Sequence, residues 1–149
     1  MRVSRAAIMM LCLLAAPSAQ TAKQIVRPLP GQTPPYSLAI KAGGTIYVAG
    51  QLPTDDKGNL VHGDIKVQAR QVFDNLRAVL GKAGSSLDKV IKCGVYSNDP
   101  AHFAAINAVY ARYFPVDPPA RSFVCVAGWH GPFDVEIDCI AIAAAPPPR

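Results

Sequence analysis

Two stretches decide the fold of this chain: Pro118-Pro119-Ala120-Arg121-Ser122 and Val135-Glu136-Ile137-Asp138-Cys139-Ile140-Ala141. The residues in and just after them are mostly aliphatic, as is typical of strands buried in a sheet. Each stretch nevertheless carries a prominent charge, Arg121 at the start of one strand and Glu136 inside the next. Burying a charge is costly unless it is paired or used. Arg121 and Glu136 therefore either pair for structural reasons or serve a functional site, and their spacing leaves both interpretations open.

The segment upstream predicts a β-hairpin followed by an amphipathic helix. Ser37 to Ile40 and Thr45 to Ala49 are short β-rich segments around the turn signal Ala42-Gly43-Gly44. Apolar residues then recur at intervals of three and four, between a capping Asp64 and a terminating Gly84. The apolar stripe is Ile65, Ala69, Val72, Phe73, Leu76, Val79, Leu80 and Ala83. The predicted solvent face is Lys66, Gln68, Arg70, Asp74 and Arg77.

The rest of the domain adds a strand, a helix and two closing strands. Val90 to Ser97 is the strand, and Asp99-Pro100 starts the second helix. The helix stripe, predicted as core, is Phe103, Ile106, Val109, Tyr110, Tyr113 and Phe114. Strands around Ser122 to Ala127 and Phe133 to Ala143 complete an α+β fold of order ββαβαββ, with two helices on one face of a mixed sheet. No element remains to cover the other, apolar face, which predicts self-association.

The ends of the chain predict export. Arg2 and Arg5 precede the apolar stretch Ala6 to Ala16, and small residues follow, as in a secretory signal peptide. We expect residues 1–19 to be this signal, residues 20–149 to be one domain with a flexible tail from 143, and the protein to be periplasmic or secreted without a membrane anchor. Loss of the two arginines lowers the formal net charge from +5 to +3. This mild charge gives little support to a nucleic-acid partner.

Residue patterns alone do not identify a reaction. The sequence has no C-x-x-C, no metal-ligand spacing, no Gly-rich phosphate loop and no Ser-His-Asp arrangement, so no metal or cofactor is expected. The cysteines of the predicted mature chain, all in predicted strands, are Cys93, Cys125 and Cys139. A disulfide among them stays open, although small buried cysteines are commoner. Asn107 fits a helix-surface amide, and Tyr36 fits a packed loop aromatic.

Several motifs together resemble the YjgF/RidA family of reactive-intermediate (enamine/imine) deaminases. They are Pro35-Tyr36-Ser37, Ala49-Gly50-Gln51-Leu52-Pro53, Gln68-Ala69-Arg70-Gln71, Asp74-Asn75-Leu76, Phe103-Ala104-Ala105-Ile106-Asn107, Pro119-Ala120-Arg121-Ser122 and Val135-Glu136-Ile137. The resemblance spans about Ile25 to Ala143. It implies a chorismate-mutase-like domain that forms homotrimers, with the sheets in a central barrel and the sites between subunits.

The resemblance also implies roles for individual residues. Arg121 matches the arginine that grips the carboxylate of a 2-imino acid, and Glu136 matches the acidic residue that activates water. Tyr36 and Asn107 match residues lining the pocket, and Gly50 matches a glycine that lets backbone approach the ligand. The implied reaction converts a 2-imino acid or its enamine tautomer to a 2-keto acid and ammonia, without cofactor or metal.

Two departures from the family pattern bear on the site. Phe123 stands where the family often has Cys, and Gly128-Trp129-His130 replaces the usual Arg-Leu-Pro. Phe123 would narrow or reshape the substrate pocket. Phe123 keeps open a second function, a non-catalytic protein that binds small carboxylates through Arg121. The resemblance leaves a third function open, an RNA-directed ribonuclease or translation inhibitor, which the predicted signal peptide and the mild charge disfavour.

Overall fold

The structure, a computed structural model, describes residues 22–28 and 33–144. The predicted signal peptide and residues 145–149 of the predicted tail lie outside these ranges. The strands and helices are β1 (Gln24–Val26), β2 (Ala39–Ala42), β3 (Thr45–Gln51), α1 (Ile65–Lys82), β4 (Val90–Ser97), α2 (Phe103–Tyr113), β5 (Ala120–Cys125) and β6 (Val135–Ile142).

All six strands form one mixed sheet in the order β1-β2-β3-β6-β4-β5. Among the described strands, only the β4–β5 pair is parallel, as expected for strands joined through a helix. The predicted α+β architecture is confirmed, with one strand more than predicted. The additional strand, β1, is three residues long and pairs with β2 at the sheet edge, and it carries too little alternation to be recognised from sequence.

The predicted ends of α1 and the turn of the first hairpin are confirmed, although the first strand of the hairpin is Ala39–Ala42 rather than the predicted Ser37 to Ile40. The Asp64 carboxylate accepts a hydrogen bond from the Val67 amide at 2.9 Å, which caps the first turn of α1. Gly84 follows the helix with φ +76°, a conformation that glycine adopts without steric cost. In the hairpin turn, Gly43 and Gly44 likewise have positive φ.

The core lies between the sheet and the two helices. Phe73 of α1 is fully buried and packs against three aromatic rings from α2 and its end, Tyr110, Tyr113 and Phe114, at centroid distances of 5.5, 4.7 and 5.9 Å. The predicted α1 stripe is confirmed, but the prediction for Gln68 is wrong. Gln68 is only 5% exposed because its amide donates to Asp134 at 2.7 Å and accepts from the Asp134 amide at 2.9 Å.

The second face of the sheet is less apolar than predicted. Strand β6 alternates, so that Val135, Ile137, Cys139 and Ala141 are buried under the helices while Glu136 and Asp138 face the other side. Val124 of the edge strand β5 was predicted to be buried and is 43% exposed in the single chain. Large apolar side chains remain uncovered on this face, including Tyr47 and Ile142.

The described residues contain neither a metal-binding cluster nor a membrane span. No group of three or more His, Cys, Asp or Glu side chains there could hold a metal ion. Neither helix within residues 22–28 and 33–144 is long and apolar enough to cross a bilayer. Cys93, Cys125 and Cys139 are free thiols; the first and last are buried and the middle one is exposed.

Candidate active site

Arg121 lies on the helix-covered side of the sheet, beneath α2. It pairs in register with the buried Cys93 of β4, so its side chain shares the face on which the helices pack. Its Nη1 donates to the Asn107 side-chain oxygen of α2 at 2.5 Å. Asn107 therefore holds a strand arginine rather than a loop, and the two predicted site residues are brought together.

Three aromatic rings surround the Arg121 guanidinium. Its central carbon lies 4.9 Å from the Tyr110 ring centroid, 5.6 Å from Phe103 and 6.0 Å from Phe123, distances typical of cation–π contacts. Phe103 and Phe123 also meet edge to face at 5.0 Å. The prediction of Phe103 as a core residue is wrong: it is 45% exposed, and its ring packs against Phe123 and Arg121 of the edge strand β5.

Glu136 lies on the opposite side of the sheet. It pairs with Tyr96 of β4 and alternates with the buried Val135 and Ile137, so it faces away from the helices. Glu136 lines a cavity of about 290 Å³. The other residues of this cavity are Tyr36, Ala49, Gly50, Leu52 and His130. The fold thus brings three predicted site residues, Tyr36, Gly50 and Glu136, to one place.

Gly50 leaves the space that the Glu136 carboxyl group occupies. A β-carbon at position 50 would lie 1.7 Å from Glu136 Oε1 and 2.7 Å from its Cδ, far inside van der Waals contact. The role predicted for Gly50 from the sequence was to let the backbone approach a ligand closely. Within the chain, the group that approaches is the Glu136 carboxyl, and any side chain at position 50 would push it out of place.

The environment of Glu136 favours a carboxyl group that can both hold and release a proton. Burial is the main factor that raises the pKa of Glu136, and the neighbouring carboxylate Asp138 adds to it. His130 lowers the same pKa. An elevated pKa brings a carboxyl group closer to the pH at which proton transfer is efficient.

The predicted site residues form two separate groups in one chain. Arg121, Asn107 and Phe123 lie on the helix side, whereas Tyr36, Gly50 and Glu136 lie on the other. The structural Arg121–Glu136 pair considered from the sequence does not form. Sequence reasoning did not assign Phe103, Tyr110 or His130 to the site; the replacement of the family's Arg-Leu-Pro at residues 128–130 was the one signal that pointed to His130.

Comparisons with known proteins agree along nearly the whole described chain. A protein-family model described as Endoribonuclease L-PSP matches residues 27–143. RutC family protein PH0854 of Pyrococcus horikoshii is 52% identical over 110 residues, which cover 73% of this chain and 86% of that protein.

Two solved structures illustrate the likeness of fold. YyfA from Yersinia pestis, described as a protein of unknown function of the conserved Rid family, is 37% identical with a TM-score of 0.77, covering 82% of this chain and 100% of that one. E. coli TdcF with bound serine is 31% identical with a TM-score of 0.74, covering 81% of this chain and 99% of that one. The chain belongs to the YjgF/RidA/RutC family.

Proposed function

We propose that the protein hydrolyses 2-imino acids and their enamine tautomers to 2-keto acids and ammonia. The observation that carries the proposal is Arg121: its guanidinium is fixed by Asn107 and aromatic rings, yet it makes no salt bridge to any carboxylate in the described part of the chain. A planar fork of donors held in this way suits bidentate binding of a substrate carboxylate.

The two halves of the site would be joined by assembly. Members of this family form homotrimers with this fold. In a trimer, Arg121 of one subunit would meet Glu136, Tyr36 and Gly50 of its neighbour across the interface. The exposed Tyr47 and Ile142 on the second face support such an assembly, because large apolar side chains that remain in water mark interaction surfaces.

The reaction needs a nucleophilic water and a place for its proton. With the carboxylate held by Arg121, water attacks the carbon of the protonated imine and gives a proton to ionised Glu136, and the product of this step is a neutral carbinolamine. Glu136 then returns that proton to the nitrogen, the C–N bond breaks, and the hydroxyl becomes the keto oxygen as its own proton is released. Atoms and charge balance without a redox step. Holding substrate and water together accounts for acceleration of a reaction that also proceeds unaided.

The test is the decay of a 2-imino acid made by an amino-acid oxidase, with semicarbazide trapping what remains. We expect wild-type protein to lower the semicarbazone yield and Arg121→Ala to abolish this effect. Arg112→Ala, which removes an exposed arginine of the same helix that holds Asn107, is the matched control and should behave as wild type. No acceleration by folded wild-type protein with small or bulky imino acids would reject the proposal.

Non-catalytic binding of small carboxylates is the alternative that a specific observation favours. TdcF, a relative of similar fold, was solved with bound serine, a small carboxylate. Under this alternative, 2-keto acids or serine would bind in an Arg121-dependent manner, and imine decay would be unchanged. Calorimetric titration run beside the imine assay separates the two functions.

An RNA-directed activity is a further candidate because of the family model's description, Endoribonuclease L-PSP. It predicts cleavage of single-stranded RNA by pure protein, with binding that weakens steeply as salt increases. A ribonuclease activity that survives Arg121→Ala would place that function elsewhere on the surface.

We also propose that the protein is exported. The basic start and short apolar stretch before residue 20 support this proposal. Cell fractionation with mass spectrometry of the mature N-terminus tests it, and a cytoplasmic protein with an intact N-terminus would reject it.

A further inference from the structure

The loop between β5 and β6 places an imidazole in the cavity that holds Glu136. His130 and Glu136 both line this cavity, together with Tyr36 and Gly50. The His130 ring packs edge to face on the buried Phe133, with centroids 5.3 Å apart, and Phe133 also packs against the tilted ring of Trp129 at 4.9 Å. Although His130 is itself exposed, these contacts hold it at the cavity rim.

We propose that His130 is a positioning residue for Glu136. The positive charge of its imidazole keeps the Glu136 carboxyl ionised, and so ready to accept a proton, on the acidic side of neutrality. The inference rests on the proposed function of Glu136 as the base. It gives Gly128-Trp129-His130, the segment that departs from the family pattern, a role in the chemistry of this chain.

The groups around Glu136 show why such a charge matters. On its own strand, the Asp138 carboxylate opposes ionisation of Glu136, and burial opposes it more strongly. On β4, Tyr96 pairs in register with Glu136. Its hydroxyl interacts with Asp138, and it brings no positive charge that would offset the carboxylate of Asp138. On β3, Gly50 brings no side chain. In the assembled protein, the neighbour's Arg121 would approach this cavity while occupied with the substrate carboxylate.

His130 is the cationic group that acts on Glu136 from within the described chain, where it lowers the pKa of the carboxyl. A positive charge beside a carboxyl group favours the ionised form of that carboxyl, whereas burial and the Asp138 carboxylate favour the protonated form of Glu136. The charge of a protonated imidazole opposes the effects of burial and Asp138, and it therefore extends the pH range in which Glu136 acts as a base.

The experiment compares wild type with His130→Gln and His130→Lys. The acidic limb of the kcat/KM profile for imine hydrolysis is measured, with the unassisted rate subtracted at each pH. We expect His130→Gln to move the midpoint of this limb to higher pH by about 0.5 to 1 unit. The reason is that Glu136 loses a neighbouring positive charge, at a site where solvent screens part of the effect. His130→Lys, which keeps a positive charge, should restore the wild-type limb, and added salt should reduce the difference.

Two controls test whether the effect is specific. His62→Gln removes an exposed histidine outside the cavity and should leave the profile unchanged. Asp138→Asn removes the carboxylate that opposes ionisation and should move the limb in the opposite direction, to lower pH.

Direct titration of Glu136 by NMR of 13C-labelled carboxyl groups provides a readout that does not depend on activity. An upward shift of the Glu136 midpoint in His130→Gln, reversed in His130→Lys, supports the inference. Superimposable profiles and midpoints in wild type and His130→Gln overturn it, and if Arg121→Ala is inactive in the same assay the proposed deaminase function still stands. If wild type has no activity, the proposed function fails, and the NMR midpoints alone decide whether His130 acts on Glu136.

Discussion

Arg121 and Glu136 face opposite sides of the same sheet, although only β4 separates their strands. Arg121 shares a face with Cys93, which is buried under the helices, whereas Glu136 shares a face with Tyr96. A strand cannot turn one residue to the other face without a shift of register that would expose its buried set. We therefore expect that these two charges reach one substrate only when they come from different subunits.

Subunit mixing should therefore rescue activity. Arg121→Ala and Glu136→Gln proteins are each expected to be inactive. After they are unfolded together in equal amounts and refolded, about a quarter of the sites should combine a wild-type Arg121 with a wild-type Glu136 from the neighbouring subunit. The imine assay on the mixture checks this expectation. A mixture that remains inactive, although mass spectrometry detects mixed oligomers, would place both groups of each site in one subunit.

Replacement of Gly50 should impair the reaction far more than folding. In Gly50→Ala the new methyl group would overlap the Glu136 carboxyl, whose flexible side chain can move away at small cost to stability. We expect kcat to fall at least about tenfold, because a misplaced base no longer reaches the water, while Tm stays within a few degrees.

Gly81→Ala is the matched control for this substitution. Gly81 lies within α1 with no heavy atom near the position of an added β-carbon. Activity should be unchanged and stability should rise by about 0.5 to 1 kcal/mol. Equal activity of the two variants would show that the Gly50–Glu136 contact is not needed.

Phe123 should restrict which side chains fit beside Arg121. Its ring packs against Phe103 and lies 6.0 Å from the guanidinium carbon. Phe123→Cys removes the ring, and we expect the ratio of kcat/KM for bulky over small 2-imino acids to rise by about tenfold. Phe123→Leu, which keeps apolar bulk without a ring, should give an intermediate ratio. An unchanged ratio in both variants would show that Phe123 does not contact the substrate side chain.

The ionised form of Glu136 should cost stability at neutral pH. Because burial raises the pKa of Glu136, the folded chain binds the proton more tightly than the unfolded chain. The stabilising contribution of the protonated carboxyl is present below the ordinary glutamate pKa and is lost as pH rises through the elevated value. Removing the charge in Glu136→Gln should therefore raise Tm at pH 7.

An Arg121→Ala background makes this measurement specific, since it removes the neighbour's guanidinium from the assembled site. Scanning calorimetry in that background should show a higher Tm for Glu136→Gln at pH 7 and no difference near pH 4. A lower Tm for Glu136→Gln at pH 7 would contradict the expected sign.

The described cysteines should differ sharply in reactivity. Cys93 and Cys139 are paired in register on β4 and β6 and are buried, whereas Cys125 is exposed. An aromatic disulfide reagent should label no more than one of these thiols in native protein that starts at residue 20, and all three in denaturant. Cys125→Ser should abolish the native signal. Rapid labelling of two or more thiols would show that β4 and β6 open readily.

The limits of α1 could be predicted from sequence because its signals are local, whereas α2 begins at Phe103 rather than at the predicted Asp99-Pro100, after a short 3-10 turn. Asp64 and Gly84 mark the ends of α1 through side-chain capping and positive φ, and neither depends on distant residues. The apolar stripe of α1 was equally readable. Gln68 was not: its partner Asp134 is distant in sequence, and such a hydrogen bond leaves no local trace.

The sequence by itself determined the order of the elements from β2 to β6, the presence of Arg121 and Glu136 in otherwise apolar strands, and the resemblance that links them. Only the tertiary structure decided the face on which each charge lies and the space that Gly50 leaves for Glu136. It also decided that Phe103 lies beside Arg121 and that His130 lies in the cavity of Glu136. The physical reason is that periodicity reports which residues of one element share a face. Which face of the sheet those residues occupy, and which residues lie opposite them, depends on pairing between strands that are far apart in sequence.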